Sequence, residues 1–307
     1  MLTKQQIVER REYLGGSDAA AVLGLSRWKT PLQVWCEKTG TIPVQVEENL
    51  AMEVGTELEE LVCKLFTRRS GKGVRRVNET IYHPKYDFLA ANIDRRIVGE
   101  DACLEAKTCS AWRAKEFEDD ELPQEIIIQG VHYLAVTGKS KIYVAVLIGG
   151  NQDFRWKQID RDEKLIADVI KKEVDFWQNY VVPKIMPKMI MSQDSDTLFR
   201  IFPKGKEQTI GLGDEADKLI DAIKSLEADY RSLENYIEKE RNNLKALLGE
   251  NAKAETGKYL VTWKNESKMR FDTARFKTEK PKIFVKYAKP NEIRVLRIRE
   301  KKEEKDV

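Results

Sequence analysis

The sequence predicts a mixed α/β (α+β) fold, with a central mixed sheet flanked by helices, then a long coiled-coil helix and a small β appendage. Three observations carry this. Apolar residues return at helical spacing up to about residue 70. Short β-rich stretches then alternate with helical ones to about residue 180. A three-and-four apolar repeat runs through residues 216–247.

The elements follow in order. Gly15-Gly16-Ser17-Asp18 is a turn leading into Ala19-Ala20-Ala21-Val22-Leu23, and Ser17 or Asp18 can cap that helix. Thr30-Pro31 opens a second helix with proline in its first turn, and Lys38-Thr39-Gly40 closes it. Met52, Leu58, Leu61, Val62, Leu65 and Phe66 line a third. Residues 74–82 and 88–93 have strand character on either side of the His83–Asp87 turn. Residues 96–98 and 102–107 form a hairpin around Gly99-Glu100-Asp101. A helix over 122–136, a buried strand over 142–148, an outer strand over 154–159 and an amphipathic helix over 162–180 complete the core.

Prolines and glycines from Pro183 onward mark a connection, so the expected domains are a core at 1–190 and a linker at 191–213. The coiled-coil helix follows at 214–249, its series from Ala216 to Leu247 interrupted only by Glu240. A basic region at 250–307 completes the chain, with a hairpin from strands at 258–264 and 268–271 and a frayed end from Glu300.

Composition excludes several classes. With 41% apolar and 34% charged residues the chain reads as folded rather than disordered. No apolar run approaches the roughly 20 residues that span a bilayer, and the first residues lack the apolar centre of an export signal, so a cytoplasmic location is expected. Cys36, Cys63, Cys103 and Cys109 lack the close pairing of a zinc site and read as reduced packing residues. From residue 251 onward 17 basic residues face 9 acidic ones, which fits contact with nucleic acid and equally fits a solubilising tail.

The chemistry lies in Ala90-Ala91-Asn92-Ile93-Asp94 and Leu104-Glu105-Ala106-Lys107. Phosphodiester hydrolysis needs a cation to neutralise developing charge and a source of hydroxide at neutral pH. Two adjacent carboxylates, Asp94 and Glu105, supply hard oxygen ligands for Mg²⁺, with the backbone carbonyl of Ala106 as a further ligand. Glu105 and Lys107 are two apart on a strand and so share a face, which sets the lysine beside the nucleophilic water. Such a constellation resembles that of a PD-(D/E)XK nuclease core, like that of restriction endonucleases. An exposed charge pair is the alternative for Glu105 and Lys107 alone.

Further stretches carry a family resemblance. Gly15-Gly16-Ser17-Asp18-Ala19-Ala20-Ala21-Val22-Leu23-Gly24 followed by Pro31-Leu32-Gln33-Val34-Trp35 resembles the start of the YqaJ-type viral recombinase family, which includes phage lambda exonuclease. Gly55-Thr56-Glu57-Leu58-Glu59-Glu60, Leu104–Lys107 and the stretch from Gln129 to Gly138 match its later motifs in order, over about residues 8–180. The resemblance implies a metal-dependent 5′→3′ exonuclease on double-stranded DNA ends that leaves 3′ overhangs for a single-strand annealing protein of the RecT type. It implies Mg²⁺, with Mn²⁺ as a substitute, a trimeric ring, and a phage or prophage origin in a bacterial cell. It assigns Asp94 and Glu105 as metal ligands, Lys107 to the water, Glu59 to an acidic position near the metal and Gln129 to orienting water or phosphate. Arg10 and Ser17 would hold the 5′-phosphate, a role Arg11 could share.

The chain departs from the family where Arg95-Arg96, rather than glycine, follows Asp94; Arg95 is expected to contact DNA. The coiled coil and basic tail have no counterpart in lambda exonuclease. A RecB-like endonuclease or single-strand nuclease is the rival enzyme, and a silent DNA-binding scaffold the rival outside enzymes. Trp28 and Trp35, seven apart, read as core rather than a base-stacking platform. His132 reads as packed, Tyr133 as packed or lining the site, and Met52 as packed or touching a DNA end.

Overall fold

A computed structural model describes residues 9–43, 50–119, 121–150, 152–289 and 293–300, and the chain divides into two compact units, Met1–Pro203 and Lys204–Val307. In the first unit, helices α1 (Gly16–Val22), α2 (Pro31–Thr39) and α3 (Leu50–Ser70) precede strands β1 (Val74–Arg76), β2 (Ile81–Tyr82), β3 (Ala90–Ala91), β4 (Arg95–Ile97) and β5 (Ala102–Cys109). Next come a 3₁₀ segment (Ala111–Phe117), helix α4 (Gln124–Thr137), strands β6 (Lys141–Ile148) and β7 (Asp153–Asp160), and helix α5 (Glu163–Phe176).

Five strands form one sheet in the order β1-β4-β5-β6-β7. Only the β5–β6 pair is parallel, and it requires a crossover, which α4 supplies. The sheet is therefore mixed, as expected. Strand β6 is buried from Ile142 to Ile148, whereas β7 alternates toward solvent as an edge should. On one face, Leu104, Tyr143, Ala145 and Leu147 pack against Val62, Cys63 and Phe66 of α3. On the other, Cys103 and Ile142 meet Val131 and Leu134 of α4, with α1, α2 and α5 behind.

Several expectations are corrected. The stretch 74–82 is not one strand: β1 pairs with β4, whereas β2 pairs with β3 in a separate two-stranded sheet. The α1 helix starts at Gly16 rather than after the Gly15–Asp18 turn, while of the two expected capping residues it is Asp18 whose carboxylate accepts from the Gly15 amide, at 3.2 Å. Gly16 is required by close approach, because a Cβ there would lie 2.4 Å from the Tyr133 ring. Within the expected linker, residues Ser192–Asp194 and helix α6 (Ser195–Ile201) fold onto the first unit, where the Thr30 hydroxyl donates to buried Asp194 at 2.6 Å. The four cysteines are free thiols, as expected, and three of them are buried.

The second unit opens with helix α7 (Asp214–Leu248), whose 35 residues match the apolar repeat. Its seam is exposed, Leu226 at 67% for example. The hairpin joins β8 (Lys253–Glu255) to β9 (Leu260–Thr262) rather than 258–264 to 268–271, because the turn through Gly257 falls earlier, closed by the Thr256 amide donating to the Tyr259 carbonyl. Two short helices follow, α8 (Thr273–Glu279), capped by Asp272, and α9 (Pro281–Tyr287). Of the expected frayed end, residues 301–307 lie outside the described residues. Among the described residues, no helix is long and apolar enough to cross a membrane.

Candidate active site

Strand β5 presents Glu105 and Lys107 on its α4 face, two residues apart, and Lys107 Nζ stands 2.7 Å from Glu105 Oε1. The Gln129 amide reaches over from α4 and donates to the same oxygen at 2.7 Å, then to the Tyr133 hydroxyl at 3.1 Å. Asp94 sits in the bend just before β4, and antiparallel pairing of β4 with β5 carries it alongside. There its Oδ2 accepts the Ala106 backbone N–H at 2.7 Å. The three expected catalytic residues and Gln129 line one cleft of about 740 Å³, together with Ser17, Met52 and Glu59.

The electrostatics are those of crowded carboxylates. Burial, and next the charge of Glu105, push the Asp94 carboxyl up to about 8, although the Ala106 amide opposes them. For Lys107, burial works against the charged form, but the Glu105 carboxylate outweighs it and holds the ammonium above the usual lysine range. Glu105 is 6% exposed, and its second oxygen, Oε2, is buried without a hydrogen-bond partner. Among the described residues no three His, Cys, Asp or Glu side chains group as a metal site. A cation here would rest on two carboxylates and backbone. The orphaned Glu105 oxygen and the repulsion between Glu105 and Asp94 fit such a guest, since a divalent cation between two carboxylates relieves both and Mg²⁺ takes hard oxygen donors.

Arg95 is placed differently from its expected DNA contact. It is 4% exposed, and its guanidinium binds Glu59 and Glu60 at 2.8 Å each and the Asp94 carbonyl at 2.7 Å. Alternation along β4 turns it toward α3, where it ties that helix to the bend holding Asp94. Glu59 therefore lines the cleft as the partner of an arginine.

Arg10 and Arg11 separate. Arg10 donates to the Ser17 hydroxyl at 3.2 Å, whereas Arg11 lies against Gly40 at the end of α2. Sequence reasoning does not reach the frame behind the Arg10–Ser17 pair. Buried Asp18 accepts from Lys38 at 2.6 Å and Lys29 at 3.2 Å, and Lys38 also donates to the Arg10 carbonyl at 2.7 Å. Burial would raise the Asp18 carboxyl, but Lys38 and then Lys29 hold it well below the usual carboxylate range. The available signal is the three-residue step from Gly15 to Asp18, which is a capping spacing as well as a family motif.

His132 is fully buried, as expected for a packed residue, but it carries polar bonds at both ring nitrogens. Nδ1 meets Glu173 at 2.7 Å and Nε2 meets the Ala90 carbonyl at 3.0 Å. Trp35 is core, whereas Trp28 is 73% exposed.

The fold has counterparts among solved structures. The alkaline exonuclease LHK-Exo from Laribacter hongkongensis superposes with a TM-score of 0.51 at 21% identity, covering 60% of this chain and 94% of that one. The same protein in complex with dAMP gives 0.52 at 22%, covering 64% and 97%. The fold is that of the PD-(D/E)XK-like alkaline exonucleases. The family model described as the YqaJ-like viral recombinase domain matches residues 8–140. Protein YqaJ of Bacillus subtilis (strain 168) is 37% identical over 304 residues, 98% of this chain and 95% of that protein. The chain belongs to the YqaJ family of viral recombinases.

Proposed function

We propose that the protein is a metal-dependent deoxyribonuclease that shortens the 5′ strand at double-stranded DNA ends, leaving 3′ overhangs for annealing-type recombination. The observation that carries this reading is the continuous chain Asp94–Ala106–Glu105–Lys107, with Gln129 bonded to Glu105, inside one cleft. Its kinship with viral recombinases and its fold, shared with an alkaline exonuclease, support it.

A divalent cation, Mg²⁺ or Mn²⁺ in its place, would be held by Asp94, Glu105 and the Ala106 carbonyl, and when bound supplies Lewis-acid charge neutralisation and acidifies water. The chain's own residues do the rest. Lys107 brings a fixed positive charge to the place where the attacking oxygen and the phosphate gather negative charge. Gln129 and Lys107 together fix the orientation of the Glu105 carboxylate. Arg95 braces the Asp94 bend through Glu59 and Glu60, which keeps the two carboxylates at a set spacing. Arg10 and Ser17 form the anion clamp for the terminal 5′-phosphate, held in place by Lys38 and Asp18. Recognition runs through phosphates and is independent of sequence. The protein would act as a homo-oligomeric ring with a single-strand annealing partner.

The test compares linear duplexes with and without a 5′-phosphate against closed circles, in Mg²⁺. Stepwise loss of linear DNA, faster with the phosphate, with circles intact, is the expected outcome. Cutting of closed circles would establish an endonuclease instead.

A further inference from the structure

Trp28 presents a large indole to solvent on a segment that is otherwise tightly held. The Ser26 hydroxyl accepts the backbone amides of Trp28 and Lys29 at 3.1 and 3.3 Å, making a compact turn. Arg27 on one side binds Glu116 at 2.9 Å and Glu125 at 3.0 Å, which anchors the turn to the 3₁₀ segment and to α4. Lys29 on the other side bridges Asp18 and Glu37 at 3.2 and 2.8 Å. Both neighbours are pinned by charge pairs, while the ring between them is 73% exposed.

Its position relates it to the chemistry. Trp28 lines the cleft that holds Asp94, Glu105 and Lys107. It also lines a smaller adjoining cleft of about 220 Å³ with Gln33, Glu37 and Arg200, so the ring is the ridge between the two. The guanidinium of Arg113 lies 5.9 Å from the ring centroid, and Arg113 is itself fixed by Glu116 and Glu125 at 2.7 and 3.1 Å. With that planar cation over one face of the indole, the opposite face of the exposed ring is the kind of surface on which single-stranded bases stack, whatever their identity.

We propose that Trp28 is a stacking site for an unpaired nucleobase of the strand entering the catalytic cleft. Stacking there holds a frayed nucleotide away from its complement and presents its phosphate to the carboxylates. The site takes any of the four bases and discriminates between a base and an abasic sugar. This inference rests on the reading of the chain as a DNA nuclease.

The experiment measures binding of the full-length protein, in EDTA, to a duplex with a short 5′-phosphorylated single-stranded flap. The flap carries either bases or abasic sites throughout. Wild-type protein should bind the base-bearing flap about 5- to 150-fold more tightly, the range that stacking of one base on an aromatic ring is worth. Trp28→Ala should erase that difference, and Trp28→Phe should keep most of it. Trp112, 94% exposed but outside the lining of both clefts, is the control, and Trp112→Ala should retain the preference. A base preference that survives Trp28→Ala, is absent from the wild type, or falls equally with Trp112→Ala overturns the assignment. A wild-type protein that cuts linear duplex in Mg²⁺ yet ignores the flap bases defeats the stacking site alone. One that neither binds nor cuts DNA defeats the nuclease reading and the stacking site with it.

Discussion

The side-chain amide of Gln129 donates to Glu105 Oε1 at 2.7 Å, across the gap between α4 and β5. Lys107 meets the same oxygen from the strand itself, so one carboxylate atom is gripped from two elements while the other has no hydrogen-bond partner. Removing the amide frees the carboxylate to rotate. Gln129→Ala is expected to lower kcat on the order of 10- to 100-fold, the usual cost of losing a group that orients a ligand. The melting temperature should also fall, because the lost amide leaves buried Glu105 and Tyr133 each short of a donor, so kcat is compared well below it. Steady-state digestion alongside thermal unfolding checks both, and an unchanged kcat contradicts the role.

Arg95 is engaged within the fold, by Glu59, Glu60 and the Asp94 carbonyl. Deleting a cation that binds a DNA phosphate would reduce the slope of log affinity against log salt by about 1. Arg95→Ala should leave that slope unchanged, because the guanidinium is buried against Glu59 and Glu60. It should instead lower the melting temperature, because the buried guanidinium's ties to Glu59, Glu60 and the Asp94 carbonyl are lost. A reduced salt slope with undiminished stability would return Arg95 to the DNA face.

The Arg10–Ser17 pair, proposed above as a phosphate clamp, makes a substrate-level prediction. Arg10→Ala, which removes the partner of the Ser17 hydroxyl, should abolish the preference for 5′-phosphorylated ends while leaving digestion of unphosphorylated ends near wild type. Arg11→Ala, against Gly40, should keep the preference. Paired digests of the two substrates decide, and the reverse pattern would exchange the two arginines.

The His132–Glu173 pair predicts a pH-dependent stability. Burial disfavours the imidazolium, but the Glu173 carboxylate on α5 outweighs it, with help from the Ala90 carbonyl and the charge of Asp18 on α1, so the His132 pKa is raised above 6.5. A raised value stabilises the folded state fully below the unfolded value of about 6.5 and loses that contribution as pH climbs through the folded one. Glu173→Gln is expected to cost about 3–5 kcal/mol at pH 6, as breaking a buried pair does. The gap should narrow in alkaline solution, and urea titrations at pH 6 and 9 measure it. A gap that is constant with pH contradicts the charge assignment.

What can be read in the sequence is what is local. The period of two places Glu105 and Lys107 on one face, and the Gly99 turn brings Asp94 beside them, so the centre of the site is legible before any fold is known. Gln129 comes from family motifs, since nothing in its own helix says which strand it faces. Arg95 departs from its expected place because adjacency to Asp94 does not tell which side of β4 it occupies; only the packing of α3 against the sheet decides that. The Trp28–Trp35 spacing looks helical, yet the start signal at Thr30-Pro31 already leaves Trp28 outside α2. The break between β1 and β2 depends on which strands pair at long range, and the 74–82 stretch carries no trace of it.

Digestion of an end-labelled linear duplex in Mg²⁺ by purified Lys107→Ala, set against the wild type and paired with a binding measurement in EDTA, tests the central claim most directly. The account predicts that the variant binds the duplex nearly as well as the wild type and releases no labelled nucleotide. Digestion at the wild-type rate would contradict it.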